Sequence, residues 1–233
     1  MPLPDAAFPT DWLAEENLAE WRRHCPSARI LHLPDKALLY RQGEECPYVF
    51  MLGRGIVKIS CLTEQGNEWT VALLRSGDIL GRLQGQTIEK TMPETARTLG
   101  EAAVVRLDLD EFVRLMSEQT RLLWQVVGTQ YARRRQAERK LIDMLAKPVE
   151  IRVLEMLKEL AEWFGKRCTH GYALEIRLTQ QELADLVGAS RPVVSTVMND
   201  LRSRSLLDYT RELICVKDDL FDYPDKPAPL FSG

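Results

Sequence analysis

The hydrophobic positions change period repeatedly along the chain. Over residues 10–25, Trp12, Leu13, Leu18 and Trp21 recur at helical spacing, which predicts a helix. From Ile30 the pattern turns into short apolar runs at 30–33, 37–40, 48–52, 56–59, 69–74 and 102–107. Gly43, Gly53, Gly55, Gly66 and Gly77 punctuate these runs. Strands recurring every ~8–12 residues with such turns predict a small β-barrel or roll. Helical spacing returns over 110–147, with a break near Ser117 to Thr120. There Leu123, Val127, Gln130, Arg134, Ala137, Leu141 and Met144 alternate steps of four and three. That is coiled-coil spacing with a polar middle, and it predicts pairing with a second copy of the chain rather than one helix lying on the barrel.

Pro148 ends the long helix and can open the next. Residues 149–164 form an amphipathic helix with Ile151, Leu154, Leu157, Leu160 and Ala161 inward. A strand is predicted over 174–178, and a hairpin from 206–209 and 213–216. The pattern divides the chain into a helix and β-roll (1–108), a dimerisation helix region (109–147), a winged helix (148–217) and a flexible tail (218–233). The fold class is α+β.

The segment from Thr179 to Met198 carries the clearest chemistry. Thr179 and Glu182 have capping-box spacing, so a helix starts there. Ala184 is small where two helices must cross, and Gly188 suits a tight turn. Ser190 stands where it can cap a second helix, and Pro192 falls in that helix's first turn. Val193, Val194, Val197 and Leu201 point inward at helical spacing, leaving Arg191, Pro192, Ser195, Thr196, Asn199 and Arg202 outward. This is a helix-turn-helix, whose second helix places its N-terminal residues against base edges of double-stranded DNA. Arg191 is the strongest base reader, because a guanidinium bonds guanine O6 and N7 together. Ser195, Thr196 and Asn199 are candidates for bases or phosphates, and Arg202 for phosphate. Thr179, Gln180 and Gln181, at the start of the first helix, complete the candidate interface.

Charge complicates this reading. The 233-residue chain carries a net charge of −3, and residues 148–217 hold ten basic and ten acidic side chains. A DNA binder usually shows a basic footprint. Here it must come from local placement of Arg177, Arg191, Arg202, Arg204 and Arg211, doubled in a dimer. The hydrophobic content of 45% is that of an ordinary soluble protein. No apolar run approaches the ~20 residues of a membrane span, and the N-terminus has no signal-peptide pattern. The five cysteines form no C-x-x-C pair, and their odd number argues against a disulfide framework. A cytoplasmic protein is expected. No nucleophile–histidine motif, phosphate-cradling loop or metal-ligand spacing is present, so neither enzymatic activity nor a cofactor is expected.

A glycine-punctuated roll, a long helix and a winged helix-turn-helix, in that order, resemble the cyclic-AMP receptor protein/FNR family of bacterial transcription regulators. In the roll the resemblance rests on Gly43, Phe50, Gly55, Gly66, Gly77-Asp78 and Gly81. In the DNA domain it rests on 178–184, on 187–191 and on Leu206-Leu207. It implies a double-stranded β-helix of the cyclic-nucleotide-binding type. It also implies a homodimer that binds a near-palindromic operator and contacts RNA polymerase, with a hinge near Pro148. The family's cyclic-AMP sensors carry a glutamate after the glycine of the phosphate segment, then an arginine with a hydroxyl residue. Here Arg82 follows Gly81, and the phosphate pair falls at Met92-Pro93 or Glu94-Thr95. The adenine positions correspond to Ala137-Glu138. The resemblance therefore implies an unknown effector other than cyclic AMP, with Arg82 and Arg97 as the basic candidates for another anion. Cys25, Cys46 and Cys61 do not match the iron–sulfur pattern. His24, His32 and His170 do not match the haem pattern, and Pro2 alone is a weak haem signal. In the recognition helix many relatives carry Glu and a second Arg where this chain has Pro192 and Thr196. A protein-binding winged helix is the alternative function, and a redox or haem sensor a lesser one.

Overall fold

A computed structural model describes residues 15–83, 90–210 and 213–223. The chain divides into two compact units, Met1–Arg135 and Gln136–Gly233. In the first unit, α1 (Glu15–His24) precedes eight strands: β1 (Arg29–Leu33), β2 (Leu38–Tyr40), β3 (Tyr48–Arg54), β4 (Val57–Leu62), β5 (Glu68–Leu74), β6 (Ile79–Gly81), β7 (Thr95–Thr98) and β8 (Ala102–Asp108). They form two antiparallel sheets, ordered β1-β8-β3-β6 and β2-β7-β4-β5. Next come α2 (Leu109–Glu118) and α3 (Thr120–Ala146), broken at Gln119 as the sequence predicts. The expected start of the first helix, with Trp12 and Leu13, lies outside the described residues, as does Pro2.

Strand β3 shows why its run is apolar throughout. Val49 and Met51 join a core with Trp21, Phe112, Leu115 and Leu122 from the three helices. The alternate residues Phe50 and Leu52 join a second core with Val57, Ile59 and Ala96 from the opposite sheet. Both faces are buried, so alternation with polar residues disappears. Strands β6 and β7 are short and were not legible as apolar runs. Gly81 ends β6 at φ +105°, where a Cβ would stand 2.4 Å from the Tyr48 carbonyl.

The second unit contains the end of α3, then α4 (Val149–Phe164), β9 (Lys166–Cys168), β10 (Gly171–Leu174), α5 (Gln180–Val187), α6 (Arg191–Ser203), β11 (Leu207–Tyr209), β12 (Ile214–Lys217) and α7 (Asp218–Phe221). Its sheet runs β11-β12-β10-β9. The strand expected over 174–178 is displaced to 171–174. Leu174 pairs with Ile214, the first residue of β12, so the chain beyond Leu174 has no partner strand. Leu174 and Ile176 are nonetheless buried, which is what the alternation recorded. The flexible tail expected from residue 218 instead begins with α7. Leu220 is fully buried, and Arg167 pairs with Asp218 and stacks near Tyr172. Residues 224–233 lie outside the described residues.

The exposed face of α3 includes Leu123, Val127, Arg134, Ala137 and Leu141 of the expected seam, but not Gln130 and Met144. Gln130 Nε2 donates to the Ile79 carbonyl at 3.4 Å, and the Met144 side chain lies over Gly188. The exposed large apolar residues of α3 are Leu123 and Ile142 and, in one stripe, Trp124, Val127, Tyr131, Leu141 and Leu145. With Arg134 and Glu138 the residues of that stripe fall at alternating steps of three and four. This stripe has the expected period and shares Val127, Arg134 and Leu141 with the expected seam.

Candidate nucleic-acid interface

The helix-turn-helix forms as its residues dictate. Thr179 Oγ1 accepts from the Glu182 amide at 3.1 Å, and the Glu182 carboxylate accepts from the Thr179 amide at 2.8 Å, a complete capping box. Gly188 ends α5 in the left-handed region at φ +62°. The Ala184 carbonyl accepts from the Ala189 amide at 2.9 Å, closing the turn. Arg152 of α4 donates to the Val187 and Gly188 carbonyls, which satisfies the end of α5. Ser190 occupies the N-cap of α6 but makes no side-chain cap bond, contrary to expectation.

The buried face of α6 consists of Val194, Val197, Met198 and Leu201. Val193, expected inward, is 42% exposed. The one-residue rotation follows from the helix starting at Arg191, which aligns Val194, Val197 and Leu201 at steps of three and four. Arg191, Pro192, Thr196, Asn199 and Arg202 are exposed, and Ser195 is half-buried.

The outward residues are not equivalent. Arg202 pairs with Asp208 at 3.1 Å and lies 5.4 Å from the Tyr209 ring. Asn199 Oδ1 accepts from the Tyr209 hydroxyl at 2.9 Å. Thr196 donates its hydroxyl to the Pro192 carbonyl at 3.0 Å, leaving it an acceptor only. Arg204 pairs with Asp200 at 2.9 Å. Arg191 has no acidic partner among the described residues. Thr179, Gln180, Gln181 and Arg191 come together with Tyr209 and Ile214 around an open cleft of about 750 Å³. Gln181 is held by Asp185 at 2.8 Å. Sequence reading missed Asp208 and Tyr209. Their signal was a carboxylate and a phenol in the first strand of a hairpin next to a helix with outward Asn and Arg. Arg211 lies outside the described residues.

Asp208→Ala should release the Arg202 guanidinium. The plot of log affinity for DNA against log salt should then steepen by about one unit per protomer, as one more phosphate is neutralised. An unchanged slope would mean that Asp208 does not restrain Arg202.

Behind the interface, Asp185 is buried in α5. Lys140 is half-buried, and its desolvation outweighs the Asp185 and Glu159 carboxylates, pushing its ammonium down to about 8. Between about 8 and the ordinary value of 10.5, the folded state holds fewer protons than the unfolded chain. Stability therefore rises with pH across that window and gains nothing from this group below it. Thermal melts from about pH 7.5 to about pH 10.5 should show this rise, and Lys140→Met should lose it. Equal slopes in both proteins would contradict the desolvation of Lys140.

The effector-pocket candidates separate. Arg82 is half-buried, and its Nε has no partner among the described residues. Arg97 alternates with buried Ala96 and Thr98 and projects from the other side of β7. Glu94 accepts from the Tyr40 hydroxyl at 3.1 Å and meets Arg133 at 3.6 Å. Burial and the Glu94 carboxylate push the Tyr40 phenol up. Ala137 is exposed and Glu138 half-exposed on α3, in the second unit. Burial pushes the Cys25 thiol up to about 11, and burial also raises Cys46 and Cys61.

A family model described as cyclic nucleotide-binding domain matches residues 30–119, and one described as Crp-like helix-turn-helix domain matches 138–219. The chain belongs to the CRP/FNR family of transcription regulators. It is 28% identical to the cAMP-activated global transcriptional regulator Vfr of Pseudomonas aeruginosa, over 79% of this chain and 86% of that one. It is 29% identical to the cAMP-activated global transcriptional regulator CRP of Salmonella typhimurium, over 84% and 92%. The solved structure of the c-di-GMP responsive regulator CLP of Xanthomonas campestris shares the fold. Its TM-score is 0.70 at 20% identity, over 85% of this chain and 99% of that one. No helix among the described residues is long and apolar enough to cross a membrane.

Proposed function

We propose that this CRP/FNR regulator binds a near-palindromic operator as a homodimer and reads each half-site chiefly through Arg191. The observation that carries this reading is the contrast among its basic residues. Arg202 and Arg204 are held by Asp208 and Asp200, whereas Arg191 stands exposed at the first turn of α6 with no acidic partner among the described residues. The apolar stripe of α3 supports pairing of two copies. RNA polymerase is the expected further partner, and the cytoplasm the expected location.

Its effector is not cyclic AMP. The family resemblance places the phosphate pair at Met92-Pro93 or Glu94-Thr95; neither supplies an arginine, and at the second this chain has a carboxylate, Glu94, bonded to Tyr40 and Arg133. A second anion there meets repulsion. Arg82 remains the basic candidate for a differently placed anionic group.

The test is equilibrium binding of the purified protein to DNA over a range of salt. Phosphate neutralisation requires a steep linear fall of log affinity with log salt. Absence of binding to any DNA at low salt would sink the proposal. Cyclic AMP should leave the affinity unchanged, and an increase on its addition would overturn the effector reading.

A further inference from the structure

Strand β11 grips α6 at two outward positions about one turn apart. The Tyr209 hydroxyl donates to Asn199 Oδ1 at 2.9 Å. The Asp208 carboxylate meets Arg202 at 3.1 Å, and the Arg202 guanidinium lies 5.4 Å from the Tyr209 ring. Asp208 also accepts from the Tyr209 backbone amide at 2.9 Å, and Tyr209 pairs with Ile214 in the sheet. The phenol is thus anchored by its own strand, independently of the side chain it touches. Asn199 is exposed, and its Nδ2 has no partner among the described residues.

A hydrogen bond on one arm of a planar amide decides what the other arm offers. Asparagine carries an acceptor oxygen and a nitrogen with two donors on one rigid group. It reads adenine by using both together: the oxygen accepts from N6 while the nitrogen donates to N7. Guanine presents two acceptors, N7 and O6, and no amine on that edge. An asparagine free to turn therefore selects adenine. One whose oxygen is committed elsewhere keeps its donors, and N7 is common to both purines. One turn earlier, Thr196 is the converse case. Its proton goes to the Pro192 carbonyl, and its oxygen is left to accept.

Given the DNA-binding role proposed above, we infer that Tyr209 is a specificity-determining positioning residue. Its hydroxyl holds Asn199 as a hydrogen-bond donor and so denies α6 an adenine contact at the base pair Asn199 faces. Tyr209 acts through Asn199 and not by touching a base itself.

The experiment is binding selection from a randomised DNA pool. It uses the full-length parent, Tyr209→Phe, Asn199→Ala and the double variant in parallel. Phenylalanine keeps the ring beside Arg202 and removes only the hydroxyl. Tyr209→Phe should gain a preference for adenine over guanine of about 5-fold or more at one base pair per half-site, the lower end of what a bidentate contact discriminates. The gain should vanish in the double variant, because it needs the freed Asn199 oxygen. The slope of log affinity against log salt should match that of the parent, since no charge changes. The G·C preference assigned to Arg191 should persist in Tyr209→Phe. Its loss would make Tyr209 a mere support for the seat of α6 and overturn the assignment.

Unchanged base preferences in Tyr209→Phe would also overturn it and would place Asn199 on phosphate. So would a gain that survives in the double variant. A parent that already prefers adenine at that pair, and loses the preference in Tyr209→Phe, would reverse the role, with Tyr209 supporting an adenine contact through the second lone pair of Oδ1. Failure of the DNA-binding role itself looks different: the parent would enrich no motif, and Tyr209 would have no base reading to set.

Discussion

Replacement of Arg191 by alanine should lower affinity for a selected operator by about 5- to 150-fold per half-site, equivalent to ~1–3 kcal/mol for a lost bidentate base contact. Discrimination at one base position should relax, while binding to unrelated DNA changes far less. The size of the effect follows from what surrounds the residue. Thr196 has its hydroxyl proton engaged by the Pro192 carbonyl, and Asn199 has its oxygen engaged by Tyr209. Neither can readily replace a guanidinium that donates to O6 and N7 of guanine. Arg204→Ala should be nearly silent on specificity, because Asp200 already holds that side chain. Equal losses on operator and unrelated DNA for Arg191→Ala would make Arg191 a phosphate contact, and base reading would have to lie elsewhere.

The double variant Leu141→Asp/Leu145→Asp should convert the protein to monomer at micromolar concentration. Its operator affinity should drop by about 100-fold or more, since two half-sites would no longer be read together. The two leucines are 60% and 82% exposed in a single chain. Covering a side chain of that size is worth about 1.5–3 kcal/mol, and a dimer covers each twice. Aspartates at both positions replace that gain with facing like charges. Arg134 and Glu138 at the centre of the stripe are then positioned to set register, as polar residues do in paired helices. Sedimentation equilibrium reads the outcome, and a persistent dimer would place the pairing surface on other residues.

The sequence made the long elements readable because their burial is one-sided. Helix α4 buries Ile151, Leu154, Leu157, Leu160 and Ala161, the residues its periodicity selected. The capping box at Thr179 and the left-handed Gly188 were equally plain, since each depends on local chemistry. The misreadings have tertiary causes. The strand expected at 174–178 lacks a partner beyond Ile214, a limit set by the hairpin and not by the segment itself. Val193 turns out to solvent because the helix starts at Arg191 and three better-aligned residues fill the interior. On α3, Gln130 and Met144 of the expected seam have partners within their own units, while Leu123, Val127, Arg134, Ala137 and Leu141 stay exposed. At the interface, the candidate DNA-reading residues were visible one by one, but their restraint by Asp208 and Tyr209 was not. That distinction depends on a hairpin folding back onto α6.

Selection of genomic fragments with the purified full-length protein, followed by sequencing of the bound pool, tests the central claim most directly. The expected motif is two-fold symmetric, with half-site centres about one helical turn (~10 base pairs) apart and a strongly preferred G·C pair in each half. Arg191→Ala should erase the preference at that pair and leave the symmetry intact. A pool with no enriched motif, from a protein that retains no DNA even at low salt, would contradict DNA recognition and point to a winged helix that binds protein.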